Sequence, residues 1–413
     1  MNVKKLEEVC DFISGLWTGK KPPYVNVGVI RNTNFHKSGN LNFSDIAQLE
    51  VEVKQFSTRQ LKFGDVVLEK SGGGPKQPVG RVCVFEKEDG LYSLSNFTSA
   101  IRVKNPKELD YKYLHYYLKH LYIAGETEKI QTHSTGIRNL QLSLYKDFLV
   151  PLPPLSTQKK IVAKLDAIFA EIDKATAAAE ANAKNAEALF QSYLTEIFER
   201  GGEDWFELRL QDLLDKGWIV SHLDGNHGGD YPRKEEFISS GVPYISANCL
   251  DGDVLDLSKS KFLSKERASK LRKGLAKTDD VLFAHNATVG PVSILKTTEE
   301  VTILGTSLTY YRCNKDFIEP EYLANYMRSA KFKNQYLTIM RQSTRNQIPI
   351  TKQREFFHVI PPLEQQKELL KKFNIFLSMK TFYESKTLNK INELFLLKQS
   401  ILQKAFAGEL VKE

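Results

Sequence analysis

The chain has 413 residues, of which 41% are hydrophobic and 26% charged. This length exceeds one ordinary domain, and the balance is that of a globular chain with real cores, which excludes a disordered or fibrous protein. The 58 basic and 50 acidic side chains leave a net charge of +8, basic without being histone-like. The N-terminal Leu6-Glu7-Glu8 carries acids where a secretion signal needs an apolar stretch, and no run approaches the ~18 apolar residues of a membrane span. A cytoplasmic protein without membrane contact is therefore expected. Cys10, Cys83, Cys249 and Cys313 lie far apart and form no Cys-x-x-Cys pair, so reduced thiols rather than a zinc ribbon or redox motif are expected.

Residues 1–152 form a first mixed α/β module of short strands and many loops. Val66-Val67-Leu68 and Arg81 to Phe85 are predicted strands. Three segments of this module suit a polyanion. Lys20 and Lys21 follow a glycine. Lys70-Ser71-Gly72-Gly73-Gly74-Pro75-Lys76 combines donors with residues that let backbone approach a ligand. Between Glu128 and Asp147 there is no acid, while Lys129, Arg138 and Lys146 occur together with Ser134, Thr135 and Asn139.

Residues 153–202 form a helical spacer. After Pro153-Pro154 neither Gly nor Pro recurs until Gly201. Ile161, Leu165, Ile168, Ile172, Ala175, Ala179, Ala186, Leu189 and Tyr193 step by fours and threes, broken only at Asn182, as a heptad seam does. Ser156 or Thr157 is the expected cap and Gly201 the expected stop. Some 45 residues at ~1.5 Å each make a rod of roughly 65–70 Å.

Residues 203–360 form a second module, with predicted strands at Val281-Leu282-Phe283 and Val292 to Leu295. Its polar loops hold Asn226 and His227, then His285, Asn286 and Thr288. No acid lies between Glu321 and Glu355, where Arg341, Ser343, Thr344, Arg345, Asn346 and Lys352 stand. Residues 361–413 are a second helical spacer with a bulkier stripe: Leu369, Phe373, Phe376, Leu377, Leu388, Ile391, Leu394, Phe395, Ile401 and Leu402. Small residues in the middle of the first rod facing large ones in the second predict an antiparallel pair with crossing midpoints. A parallel homodimer through the first rod is the competing arrangement.

The chain is written twice. Pro153-Pro154-Leu155 recurs as Pro361-Pro362-Leu363, a shift of 208 that also aligns Gln158 with Gln366, Lys159 with Lys367, Leu194 with Leu402 and Phe198 with Phe406. Upstream the match is looser: Tyr113-Leu114 with Tyr322-Leu323, Asp65 to Leu68 with Asp280 to Phe283, and Arg138-Asn139 with Arg345-Asn346. The helices have diverged less than the modules, as a scaffold presenting two variable surfaces would.

Motifs that resemble catalytic ones fail on their own chemistry. Pro22-Pro23-Tyr24 is preceded by Lys21, which cannot accept a target amine as the Asn or Asp of an amino-methyltransferase motif does. Gly15 to Lys20 is one residue short of a phosphate loop, and Gly72-Gly73-Gly74 lacks dinucleotide-binding spacing. Glu52-Val53-Lys54 reads as an exposed strand rather than a nuclease motif, and the eight histidines show no metal-ligand spacing. A binding protein is the expectation.

The order of module, Pro-Pro-Leu-x-x-Gln helix, module and second such helix resembles the specificity subunits of Type I restriction–modification systems. So do Asp280 to Gly290, Ser343-Thr344-Arg345-Asn346-Gln347-Ile348, Lys70 to Gly74 with Gln77 to Arg81, and Gly241 to Ser246. The resemblance implies mixed α/β globular domains in two copies, joined by two long antiparallel α-helices forming a coiled-coil spacer, in a pseudo-two-fold internal repeat. It further implies that each module is a target recognition domain for half of a split double-stranded DNA site. Methyltransferase subunits would dock around the helices, and motor-nuclease subunits would join for cleavage. S-adenosylmethionine, ATP and magnesium would sit on those partners, and this chain would bind no cofactor and be no enzyme.

The family leaves base-contacting residues open, so the candidate DNA contacts are chosen from the loops. They are Lys20, Lys21, Lys70, Ser71, Lys76, Ser134, Thr135, Arg138 and Asn139 in the first module. In the second they are Asn226, His227, His285, Asn286, Thr288, Arg341, Ser343, Thr344, Arg345, Asn346 and Lys352. Three alternatives stay open: an enzyme with an unrecognised site, a repeat scaffold that holds proteins, and a solitary specificity subunit serving a fused methyltransferase–nuclease.

Overall fold

Val66, Val67 and Leu68 are all fully buried, so the apolar run cannot belong to a sheet with one wet face. Val66 and Leu68 join one core and Val67 another, because the strand is covered on both sides. Val281 and Phe283 against Leu282 and Ala284 divide in the same way. The computed structural model describes residues 2–36, 39–74, 77–134, 137–226, 231–252, 254–341 and 346–411, the side chains of 133 and 134 excepted.

The first module begins with β1 (Val3–Lys5), α1 (Leu6–Val9), β2 (Cys10–Ile13), β3 (Tyr24–Ile30), β4 (Ala47–Glu52) and α2 (Val53–Ser57). It continues with β5 (Asp65–Glu69), β6 (Ser71–Gly73), β7 (Val82–Phe85), β8 (Tyr92–Leu94), β9 (Thr98–Val103) and α3 (Tyr111–Ile123). It ends with β10 (Gln131–Ser134), β11 (Ile137–Leu140), α4 (Leu142–Lys146) and β12 (Leu149–Pro151). The main sheet has the order β2-β9-β5-β7, a second sheet β4-β3-β8, a third β10-β11-β6, and β1 pairs β12. Helix α5 (Leu155–Arg200) follows without a break.

The second module runs β13 (Phe206–Arg209), α6 (Leu210–Asp215), β14 (Ile219–Asp224), β15 (Phe237–Ile238), β16 (Val242–Ile245), β17 (Leu250–Asp251) and β18 (Val254–Leu255). Next come β19 (Lys261–Leu263), α7 (Lys265–Ser269), β20 (Leu275–Ala276), β21 (Val281–Asn286), β22 (Thr288–Ile294), β23 (Thr302–Leu304) and β24 (Leu308–Cys313). Helices α8 (Pro320–Arg328), α9 (Ala330–Arg341) and α10 (Ile350–Gln353) precede β25 (Phe357–Ile360) and the final helix α11 (Leu363–Phe406). Its main sheet, β14-β24-β21-β22, repeats the order of the first, and β13 pairs β25 as β1 pairs β12. The parallel pair β3 with β8 recurs as β16 with β23 inside a five-stranded sheet.

Two sets of hydrogen bonds show that the modules are copies at the level of single atoms. Arg102 grips the buried Asp65 through Nε and Nη2, both at 2.7 Å, and Arg312 grips Asp280 at 2.9 and 2.7 Å. Gln158 donates to the Glu108 and Pro153 carbonyls and accepts from the Asp110 N–H. Gln366 donates to the Phe317 and Pro361 carbonyls and accepts from the Glu319 N–H. The glutamine of Pro-Pro-Leu-x-x-Gln is thus a staple, joining the first turn of a long helix to the loop that opens α3 or α8.

The chain divides into two compact units, Met1–Glu180 with Thr387–Glu413, and Ala181–Lys386. Each unit contains one module and one half of each long helix. In the first unit the helices run antiparallel: Lys398 pairs Asp173 at 2.5 Å, the Thr387 hydroxyl donates to the Ala179 carbonyl, and Leu165 shares a core with Leu402. They are antiparallel in the second unit too, where Phe198 meets Phe373, Tyr193 stacks on Phe376 at 4.2 Å and Glu187 pairs Lys380.

Several details differ from expectation. Helix α5 starts at Leu155, so Ser156 and Thr157 lie inside its first turn rather than capping it. The seam holds through Ile161, Leu165 and Ile172, but in the second unit the buried stripe is Phe190, Leu194 and Phe198, while Leu189 is exposed. There the aromatic core of the second module, Tyr322 and Tyr326 against Phe198, selects the bulkier face. Leu388 and Phe395 of α11 are likewise exposed. Glu52 is buried at the end of β4, and Val53–Ser57 is helical, so this segment is not an exposed strand.

Candidate nucleic-acid interface

Strand β5 runs on past Glu69 into β6, and this extension gathers two loops that lie far apart in sequence. β6 pairs β11, with Asn139 opposite Ser71 and Arg138 opposite Gly73, and the Ser71 and Asn139 side chains hydrogen-bond. The Leu140 N–H donates to the Lys70 carbonyl at 2.8 Å. One edge of the first module therefore carries Lys70, Ser71, Arg138 and Asn139. Burial lowers the pKa of the Lys70 amine, and Arg138 approaches Glu128 at 3.8 Å. The backbone of Ser134 lies on the adjoining β10.

The second module builds the same edge with other residues. The Ile348 N–H donates to the His285 carbonyl at 2.8 Å, as Leu140 does to Lys70, and Asn286 bridges to Gln347. Gly72 has φ +93° and Ala287 has φ +65°, so the left-handed turn past the strand is kept even where the residue is not glycine. Asn286 is half-buried, whereas Ala287, Thr288 and Asn346 are exposed. These bonds set the register at 348 − 140, a shift of 208, as in the helices. Arg138 therefore corresponds to Asn346 and Asn139 to Gln347, one place off the alignment of Arg138-Asn139 with Arg345-Asn346.

Lys20 and Lys21 lie on an exposed loop between β2 and β3. Their backbone N–H groups both donate to Glu52 Oε2 at 3.3 Å, and Trp17 and Tyr24 flank them with exposed rings. The clamp on a buried carboxylate leaves both ammonium groups in solvent.

Two candidates are corrected by their burial. Asn226 is fully buried, and its Nδ2 donates to the Lys273 and Leu304 carbonyls; it holds a loop together. His285 is 3% exposed, with Nδ1 2.9 Å from the Ile348 carbonyl, and its ring faces the interior. Neither side chain is placed to meet a base. Lys352 is exposed but paired with Glu355 at 3.0 Å, and Arg341 is exposed at the end of α9. Lys76, Thr135, His227, Ser343, Thr344 and Arg345 lie outside the described residues, as does the Ser134 side chain.

The acid-free stretch after Glu321 is not one open basic face. Arg328 donates to the Val292 carbonyl and Lys331 pairs Glu207, so part of its charge is used inside the module. Gln347 and the exposed Phe97, whose carbonyl accepts the Lys70 N–H at 2.9 Å, are edge residues that the reading of the loops missed. Carrying the shift of 208 upstream from the helices points to Gln347 through Asn139. Nothing in the local sequence marks Phe97.

A family model described as Type I restriction modification DNA specificity domain matches residues 1–182 and again 202–393. The chain is 22% identical over 298 residues to the specificity subunit of the Type I restriction enzyme EcoBI of Escherichia coli, covering 68% of this chain and 62% of that protein. It is 24% identical over 295 residues to the EcoKI specificity subunit of Escherichia coli strain K12, covering 69% and 63%. It thus spans less than two thirds of the length of these two relatives. A solved structure concerning complex assembly and conformational transition of the type I R-M system has the same fold, with TM-score 0.72 and 20% identity over 99% of this chain and 98% of that one.

Proposed function

This chain belongs to the family of the Type I restriction modification DNA specificity domain, and we propose that it reads a bipartite DNA site, one half-site per module, for partner enzymes that methylate and cleave. The observation that carries this reading is the repeated edge. Two modules with the same main-sheet order present corresponding edges, with Ser71, Arg138 and Asn139 on one and Asn286, Asn346 and Gln347 on the other. Amides pair bidentately with adenine edges and arginine with guanine, so edges of different composition suit different half-sites. Two joined modules reading two half-sites follow the logic by which a dimer reads a palindrome.

The candidate DNA contacts retained are Lys20, Lys21, Lys70, Ser71, Lys76, Ser134, Thr135, Arg138 and Asn139, with His227, Asn286, Thr288, Arg341, Ser343, Thr344, Arg345, Asn346 and Lys352. Residues 1–152 and 203–360 act as the target recognition domains, and 153–202 and 361–413 as the spacer. Leu189, Ile375, Met379 and Phe382 in one unit, and Leu388, Phe395, Leu396 and Leu397 in the other, leave apolar side chains of the helices exposed. Such surface suits docking of methyltransferase subunits. Motor-nuclease subunits, S-adenosylmethionine, ATP and magnesium belong to the same cytoplasmic assembly, and this chain contributes no catalytic group.

The test is sequencing of N6-methyladenine in DNA from cells that co-express the chain with a cognate methyltransferase. A methylated motif split by a fixed gap, and absent without this chain, is the expected result. Methylation that is unsplit or indifferent to the chain would instead favour a protein-holding scaffold.

A further inference from the structure

Beneath the reading edge of the second module lies a buried polar cluster. Gln353, fully buried on α10, has Oε1 2.9 Å from the Thr309 hydroxyl, 3.0 Å from the Tyr311 hydroxyl and 3.2 Å from His222 Nε2. Its Nε2 donates to the Ile348 carbonyl at 3.2 Å, which fixes the amide's orientation, since the opposite one would set two oxygens face to face. His285 Nδ1 lies 2.9 Å from the same carbonyl.

A carbonyl only accepts, so His285 carries its proton on Nδ1, and by the same argument His222 carries its proton on Nε2. The other nitrogens, His285 Nε2 and His222 Nδ1, are buried without a hydrogen bond among the described residues, as suits neutral rings. Ile348 is thereby held at both its backbone groups: its N–H by His285 and its carbonyl by two side chains.

The first module does this differently. At the shift of 208 Gln353 corresponds to Tyr145, which is fully buried, with a hydroxyl that has no hydrogen-bond partner among the described residues. Lys70 stands where His285 does. Strand β11 is instead paired along both edges, by β10 and β6. In the second module an amide and an imidazole add to the backbone bonds that tie residues 346–348 to His285 and Ala287.

We propose that Gln353 and His285 are positioning residues for the second reading edge: their two donors to the Ile348 carbonyl set residues 346–348 against the β21–β22 turn and so aim Asn286, Asn346 and Gln347 at the DNA. This rests on the reading of the chain as a DNA specificity subunit. It adds that half-site specificity in the second module depends on two buried side chains that never touch DNA.

Substituting glutamate tests it with little change of shape. In Gln353→Glu the ionised carboxylate still accepts from His222, Thr309 and Tyr311 but cannot donate to Ile348, so the variant is read at a pH above its carboxyl pKa, which burial raises. His285→Leu removes the other donor. His285→Asn restores it, because the asparagine amide nitrogen sits as many bonds from the backbone as Nδ1. The complex of the full chain with its methyltransferase is titrated with cognate duplex and with duplexes altered in one half-site. In the wild type one altered base pair should weaken binding by roughly tenfold or more in either half.

Gln353→Glu and His285→Leu should erase that ratio for the second half-site and leave it for the first, with His285→Asn keeping both. Long-range proton–nitrogen spectra of the wild type should show His285 protonated on Nδ1. An unchanged second ratio in folded Gln353→Glu and His285→Leu, equal loss of both ratios, or an Nε2-protonated His285 would overturn the assignment. A wild-type complex that discriminates at neither half-site would instead overturn the DNA-reading function on which it stands.

Discussion

Asp280 is 2% exposed in its side chain and sits in the fork of Arg312, as Asp65 does in that of Arg102. The arginines also donate to the Leu275 and Gln60 carbonyls, so one pair ties β24 to β20 and the other ties β9 to the loop before β5. Removing one partner leaves the other charge desolvated, which costs more than the pair contributes net. Asp280→Asn should therefore lose about 2–4 kcal/mol in denaturant unfolding, and Asp65→Asn a similar amount in the other module. A loss under ~0.5 kcal/mol would show that water replaces the carboxylate. Gln366→Ala deletes three hydrogen bonds worth about 1 kcal/mol each and should lower the thermal midpoint with a matching effect from Gln158→Ala. The aspartates and glutamines were legible in the repeat, whereas Arg102 and Arg312 were not picked out there. The role of the glutamines was not legible, since a glutamine in a repeated motif reads equally well as a contact to a partner until its three bonds are seen.

At the scale of elements, the long helices were the most legible part of the chain, because absence of Gly and Pro from one end of each to the other leaves little else. Their faces were less legible. A heptad reading assumes one constant partner along the rod, whereas α5 meets α3 of the first module through Phe169 and Tyr116, and the Tyr322 and Tyr326 rings of the second through Phe198. The two halves of α11 should respond differently to truncation. Phe373→Ala, in a fully buried position, should cost about 3–5 kcal/mol of stability. Phe395→Ala, 52% exposed, should stay within about 0.5 kcal/mol yet weaken assembly with the methyltransferase, measured by titration calorimetry. Equal stability losses would place Phe395 in the core; unchanged assembly would remove it from the docking face.

For the molecule as a whole, buried histidines couple the fold to acid. Burial holds His222 and His115 down at about 3 and His358 at about 4, and it lowers His285 as well. Such rings are neutral in the fold and take up a proton on unfolding at any pH between the folded value and about 6.5. The unfolded chain then binds more protons, so stability is complete above pH about 6.5 and is lost as pH falls. Each ring should contribute a slope of at most about 1.4 kcal/mol per pH unit, approached between pH 6 and 5, where most carboxylates are still ionised. Denaturant unfolding across that range should show it, and a flat profile would mean that the rings are hydrated. The second unit holds three of these four rings and should be the more acid-sensitive.

Much about this protein was determined by its sequence alone: two modules and two helices, the strands at Val66 and Val281, and membership of a DNA specificity family. These signals are local or self-referential, a run of helix formers, an apolar stretch, a segment matching its own copy further down the chain. Only the tertiary structure decided which polar loop residues face outward. Asn226 and His285 look like surface readers because composition cannot show what covers them, and their partners, Leu304 and Ile348, are remote in sequence. The pairing of Ser71 with Asn139 and of Asn286 with Gln347 is of the same kind. Register across such a distance is set by which backbone groups find partners on closure of the sheet, and burial by what then packs above them.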